Sequence, residues 1–169
     1  MKFPNLKELQ SYVPQTGRIS WLGKRPEKRS PLVPCEAIRI TPDGGIEGDH
    51  YSRKGGKRQV TLIQEEHLHA VGAMLGQDGI DPALTRRNLV VSGINLLSLL
   101  KRQVQIGAEV VLEVTGHCHP CSRMEDNLGD GGYSAMRGHG GVTASVVKGG
   151  VIRLGDTVCV FESKTNPNA

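Results

Sequence analysis

Apolar and polar residues alternate in short runs along this chain, and glycine or proline separates most of the runs. Alternation predicts strands at residues 17–22, 35–40, 59–63, 88–91 and 108–114. In the last of these Val110, Leu112 and Val114 share one face. Further strands are expected at 141–147, 151–154 and 157–161, with turns at Lys148-Gly149-Gly150 and Gly155-Asp156. One segment, 64–75, changes to helical spacing: Leu68, Val71 and Leu75 fall on one face, and the glycines of 76–79 end it. Residues 82–86 and 122–128 read as short helical turns, and 94–100 as a further turn of helix or a strand. Residues 45–57 read as a surface loop, 105–107 as a loop leading into the next strand, and 129–141 as a flexible glycine-rich span. Many short strands joined by glycine turns predict a mostly β fold with short helices, a closed or nearly closed barrel. It spans residues 17–161, after an N-terminal arm at 1–16 and before a flexible tail at 162–169.

Composition narrows the class. A chain of 169 residues is long enough for one domain with a real core. With two Phe, three Tyr and one Trp, that core rests on Val, Leu and Ile. The net charge of +4 favours an anionic ligand. The basic residues at 18, 24, 25, 28 and 29 lack interleaved aromatics, so they predict a solvated loop, and a nucleic-acid partner is not expected. No run is long enough for a membrane helix, and no signal peptide is recognisable. The expected location is cytoplasmic, where the four cysteines stay reduced.

Three polar clusters carry the chemistry. In Gly116-His117-Cys118-His119-Pro120-Cys121, the two thiols have the spacing of half a zinc site or of a dithiol redox pair. Alternatively one is a single reactive or metal-ligating cysteine. Cys121 suits that role because Pro120 fixes its approach and a helix start follows. Packing at a strand end is the structural alternative for both. Cys35 and Cys159 could complete a zinc site only if the fold brings them near. In Gly45-Ile46-Glu47-Gly48-Asp49-His50, glycines permit a turn that aims N–H groups at an anion, and Asp49 and His50 could orient each other or cap the turn. In Arg86-Arg87-Asn88, one arginine could fork onto a phosphate or carboxylate while the other pairs with Asp81 or Glu66. Arg58 adds a cation, and Arg137 and His139 sit among glycines that could close over an anion. His67 and His69, two apart on the predicted helix, diverge and read as structural.

In this order the motifs resemble the MOSC family, named for the C-terminal domain of molybdenum cofactor sulfurase. The resemblance runs from residue 17 to 160 and adds Gly93, Ile106-Gly107, Val114-Thr115-Gly116, Arg137-Gly138 and Gly149-Gly150-Val151-Ile152 to the three clusters. It implies a MOSC-type mixed β-barrel that binds a molybdopterin-type molybdenum cofactor or transfers sulfur. By that resemblance Cys121 is the molybdenum thiolate ligand or a persulfide carrier. Arg58, Arg86, Arg87 and Asn88, joined by His50 and Arg137, are expected to hold the cofactor. His119 and Asp49 are the catalytic candidates beside Cys121 for moving protons. Some standalone relatives reduce N-hydroxylated small molecules with an external reductase. The sulfur-transfer alternative needs a separate cysteine desulfurase, and a non-enzymatic cofactor-binding module or a zinc-stabilised domain are further alternatives. Pyridoxal phosphate is not expected, because no aminotransferase-like domain is encoded. No ferredoxin-type cysteine set is present either, so electrons would come from outside.

Overall fold

The computed structural model describes residues 5–51 and 55–162. Among these residues eleven strands and four short helices follow one another as α1 (Leu6–Ser11), β1 (Gly17–Lys24), β2 (Val33–Pro34), β3 (Ala37–Thr41), β4 (Gly45–Ile46), β5 (Val60–Gln64) and α2 (Glu65–Met74). The chain continues through β6 (Leu89–Ser92), β7 (Gln103–Ile106), β8 (Val110–His117), α3 (Arg123–Leu128), α4 (Gly132–Met136), β9 (Val142–Lys148), β10 (Gly150–Arg153) and β11 (Thr157–Val160). Two 3₁₀ turns, Pro82–Thr85 and Leu96–Leu99, flank β6.

Seven strands close into a mixed barrel in the order β11-β7-β8-β9-β5-β6-β1, and β1 returns to pair with β11. Gly17 faces Val158 across that seam. Closure leaves no unpaired barrel edge, which is how all-β folds avoid edge-to-edge association. Every pair is antiparallel except β5–β6, and that parallel pair needs a crossover, which α2 supplies. A small sheet, β10-β3-β4, packs Ile38, Ile40, Ile46 and Ile152 into the barrel core.

The strand alternation explains two cores and the site between them. Val60 and Leu62 of β5 and Leu89 and Val91 of β6 join the barrel core. Ile63 and Val90, one residue out of step, lie in a second core with Leu68 and Val71 of α2, Met124 of α3 and Met136 of α4. By the same period Thr61 and Asn88 share the outer face with Ile63 and Val90. Beyond the reach of the helices that face turns polar, and there the pocket forms.

Several expectations need correction. Within 105–107 only Gly107 turns, since β7 spans Gln103–Ile106 and pairs with both β8 and β11. The glycine-rich span 129–141 contains α4, whose start is held by the Glu125 carboxylate. The segment 45–57 opens with β4, and its Asp49 is buried. On β3 the two isoleucines face inward while Ala37, Arg39 and Thr41 are exposed. Residues 94–100 resolve into the 3₁₀ turn Leu96–Leu99. Of the arm, residues 1–4 lie outside the described residues, and α1 follows them with none of its side chains buried. Of the tail, only Glu162 is described. No helix among the described residues is long and apolar enough to cross a membrane.

Candidate functional site

A cavity of about 400 Å³ opens where β1 ends and β5 and β6 begin, beside the cysteine loop. Arg58, Arg86, Arg87, Asn88, Asp49, His119 and Cys121 all line it, so residues 72 positions apart in sequence (121 − 49) converge on one pocket. Arg25, Thr61 and Gln59 line it as well. His50 points its exposed side chain elsewhere, near the Tyr51 ring, and Arg137 lines a neighbouring cavity.

The floor is a closed hydrogen-bond network. Asn88 Nδ2 donates to the Gly23 carbonyl at 3.2 Å and to Asp49 Oδ2 at 3.1 Å, while its Oδ1 accepts from the Thr61 hydroxyl at 2.9 Å. Asp49 Oδ2 also accepts from the Arg25 N–H, and Oδ1 from the Tyr51 N–H, each at 2.8 Å. Asp49 thereby ties the loop 45–51 to the end of β1, and Asn88 ties β6 to both. Buried polar groups satisfied in this way fix one arrangement of the strands around them.

Arg87, only 3% exposed, gives its whole guanidinium to backbone. Nε donates to Gly140 O at 2.9 Å, Nη1 to Thr85 O at 2.7 Å, and Nη2 to Cys118 O at 3.1 Å and His119 O at 3.4 Å. One cation thus pins the cysteine loop to the turn before β9. The turn can come so close because it is glycine: a Cβ at Gly140 would overlap the Cys118 carbonyl. The Cys118 N–H also donates to Gly141 O at 2.9 Å.

The other arginines are placed differently. Arg25 is 8% exposed, yet its Nε has no hydrogen-bond partner among the described residues. Arg86 sits in the left-handed region (φ 63°), a conformation costly for a residue with a side chain. Burial, and then the neighbouring Arg25 guanidinium, pull the Arg86 pKa below its ordinary value, while charge on Cys121 opposes that shift. Burial likewise lowers the Arg87 pKa, with Cys118 the main opposing influence. Arg58 Nη2 donates to the buried Cys118 sulfur at 3.2 Å. Four arginines, Arg25, Arg58, Arg86 and Arg87, line the cavity beside one carboxylate, Asp49, and none forms an ion pair among the described residues, a cationic crowding that favours an anion.

Neither arginine of the pair meets the acid expected for it. Glu66 accepts from the Gly93 N–H and Asp81 caps the 3₁₀ turn Pro82–Thr85. The ion pair Arg39–Glu47 lies apart from the pocket, between exposed side chains. All four cysteines are free, Cys118 buried and Cys121 exposed. Among the described residues no group of three or more His, Cys, Asp or Glu side chains is gathered that could hold a metal ion, so the zinc alternative has no complete ligand set there. His139 packs its ring edge-on against His67 at 5.0 Å, with Nδ1 3.1 Å from the Ala135 carbonyl.

The MOSC domain family matches residues 46–159, more than half of the chain. The protein belongs to the MOSC family. The MOSC fold agrees with solved structures. The YuaD protein of Bacillus subtilis superposes with a TM-score of 0.73 at 19% identity, over 87% of this chain and 97% of that one. YiiM of Geobacillus stearothermophilus gives 0.66 at 17% identity, over 90% of this chain and 78% of its own. YiiM of Escherichia coli gives 0.62 at 17%, over 86% and 70%. At these identities the likeness is one of fold. No curated protein has a detectable sequence match to this chain. Members of this family bind the molybdenum cofactor through this domain.

Sequence reasoning missed Arg25, Gln59 and Thr61. Gln59 and Thr61 alternate with Val60 and Leu62, so their period already marked them as an outward polar pair. Arg25 carried no such signal inside its basic run.

Proposed function

We propose that this MOSC protein binds a phosphorylated pterin cofactor carrying molybdenum in the arginine pocket and reduces N-hydroxylated small molecules with electrons from a separate reductase. The observation that carries the reading is the Arg25 Nε, buried and without a partner among the described residues, in the same cavity as an exposed thiol. A buried donor without an acceptor is costly, and an anionic ligand would supply the acceptor. The residues fit the cofactor's chemistry: Arg25, Arg58 and Arg86 for an anionic group, the Cys121 sulfur for a soft metal. A cavity of about 400 Å³ is within the range of small-molecule sites.

When bound, the molybdenum supplies two-electron redox chemistry. The chain's own residues bind and orient. Arg25, Arg58 and Arg86 hold the anionic end. Asp49 and Asn88 keep Arg25 and the strand ends in register. Arg87 holds the loop that presents Cys121, and charge on that sulfur interacts favourably with both Arg86 and Arg87. His119, exposed at the cavity wall, is placed to hold a proton at a ring nitrogen near the thiol.

Anaerobic purification from molybdenum-replete cells tests this. Near-stoichiometric molybdenum and pterin are expected in the wild type. Molybdenum should be lost in Cys121→Ser, and pterin should be lost as well in Arg25→Gln. Intact protein from such cells with neither component would overturn the reading. A persulfide forming on Cys121 with a sulfur donor would then favour sulfur transfer from a separate cysteine desulfurase.

A further inference from the structure

Beside the arginine pocket lies a second cavity of about 610 Å³, and His119 and Pro120 line both. Its remaining walls are Tyr133, Ser134, Arg137 and Gly138, all on α4 or just after it. A five-residue helix among glycines would ordinarily fray, but this one is anchored at several points. The Glu125 carboxylate accepts from the Gly131 N–H at 2.7 Å and from the Tyr133 N–H at 2.8 Å. Those two bonds hold the Glu125 carboxyl below the ordinary carboxylate range. A Cβ at Gly132 would overlap the Met124 carbonyl, so α4 sits hard against α3. Ala135 and Met136 are buried in the second core, leaving the opposite side of α4 turned outward on a fixed backbone.

That outward side carries a specific set of groups. Tyr133 is 42% exposed, an aromatic surface available to a ligand. Arg137 is exposed and forms no ion pair among the described residues. Asp130, the acid nearest in sequence, forms no ion pair with it, and Glu125 has both carboxylate oxygens engaged by backbone N–H groups. Ser134 adds a hydroxyl, and the His119 imidazole faces the set from the cysteine loop. An aromatic side chain favours a flat ring, and an unpartnered guanidinium favours a carboxylate or phosphate.

We propose that this second cavity is the substrate site, and that it takes a small planar ring compound bearing an anionic group. The ring lies against Tyr133, the anion meets Arg137, and the shared His119–Pro120 wall directs the rest of the molecule toward Cys121. The assignment of this cavity to substrate rests on the proposed cofactor role of the arginine pocket. It separates Arg137, which the sequence groups with the cofactor arginines, from those cations by function.

The test is binding to the purified protein, followed by ligand-observed NMR and calorimetry, with molybdenum and pterin measured on the same samples. Benzoate and phenyl phosphate supply the ring with either anion, benzamide the neutral ring, and acetate the anion alone. Benzoate, phenyl phosphate or both should bind about tenfold more tightly than benzamide or acetate, the worth of one charge-assisted contact. Whichever of the two binds tightly tells carboxylate from phosphate. Arg137→Gln should bring the ring anion down to the benzamide level, Tyr133→Leu should weaken every ring probe, and Arg25→Gln should leave benzoate unaffected. Benzoate binding that ignores Arg137→Gln, or that is lost in Arg25→Gln instead, would overturn the proposal. Cofactor content separates the two readings. If Arg137→Gln retains wild-type molybdenum and pterin while losing benzoate, both stand. If the wild type holds no cofactor yet binds benzoate through Arg137 and Tyr133, the cofactor reading fails and the binding site survives it.

Discussion

The floor of the arginine pocket and its mouth are built from the same residue types to opposite ends. In the floor, Arg87, Asn88, Asp49 and Thr61 spend their polar atoms on one another and on backbone. At the mouth, the buried Arg25 Nε has no partner among the described residues, Arg86 sits in a strained backbone conformation, and Cys121 is an exposed free thiol. Adjacent arginines, 86 and 87, fall on opposite sides of this divide. What separates a structural arginine from a binding one is therefore the supply of acceptors around it, more than burial or charge.

The sharpest way to break the contrast is Arg87→Met. It strips the carbonyls of Thr85, Gly140, Cys118 and His119 of a shared donor. A loss of about 3 kcal/mol is expected from urea unfolding, with a changed alkylation rate at Cys121. An unmoved midpoint would mean those carbonyls find donors elsewhere. Arg25→Gln probes the mouth. Its Nε has no bond to lose, so stability should stay within about 0.5 kcal/mol of wild type, while affinity for pyrophosphate falls about tenfold. Calorimetry showing undiminished pyrophosphate binding would remove Arg25 from the anion site. The smallest effect concerns His67, behind the glycine turn that meets Arg87. Burial, then His139, lower its pKa below 6.5, with Glu66 opposing. A histidine depressed in the folded state gives stability that is present above pH 6.5 and lost as the pH falls through the folded value. Thermal melts of His67→Leu across pH 7 to 5 should therefore fall less steeply than those of the wild type, and parallel curves would count against the account.

Much of the barrel could be read along the chain. Strands such as β5 and β8 announce themselves because their inward residues are uniformly branched and aliphatic, and α2 because Leu68 and Val71 break the two-residue period. The strand β7 was harder to see, because its alternation covers only Gln103–Ile106 and runs straight into the turn at Gly107. The helix α4 was obscured for a different reason. Its glycines argue for a loop, and what decides the matter is a carboxylate at Glu125, six and eight residues from the N–H groups it holds. At the site, Arg58, Arg86, Asn88 and Cys121 could be picked out by motif, but not which of them faces a ligand. Arg25 depends on Asp49 reaching back 24 positions to fix its backbone, a relation that no local pattern records.

The seam between β1 and β11 lies outside the run of strand pairings that carries the pocket. It joins Gly17 to Val158, among the most distant pairings in the chain, and contacts of that separation form slowly. The pocket takes Arg25 from the residue after β1, Arg58 and Thr61 from the start of β5, Arg86 and Asn88 from the approach to β6, and Cys121 from the loop after β8. These strands are neighbours in the order β8-β9-β5-β6-β1, so the pocket residues meet without the β1–β11 pairing. A ligand held as proposed would stabilise that run of strands by mass action, independently of the seam.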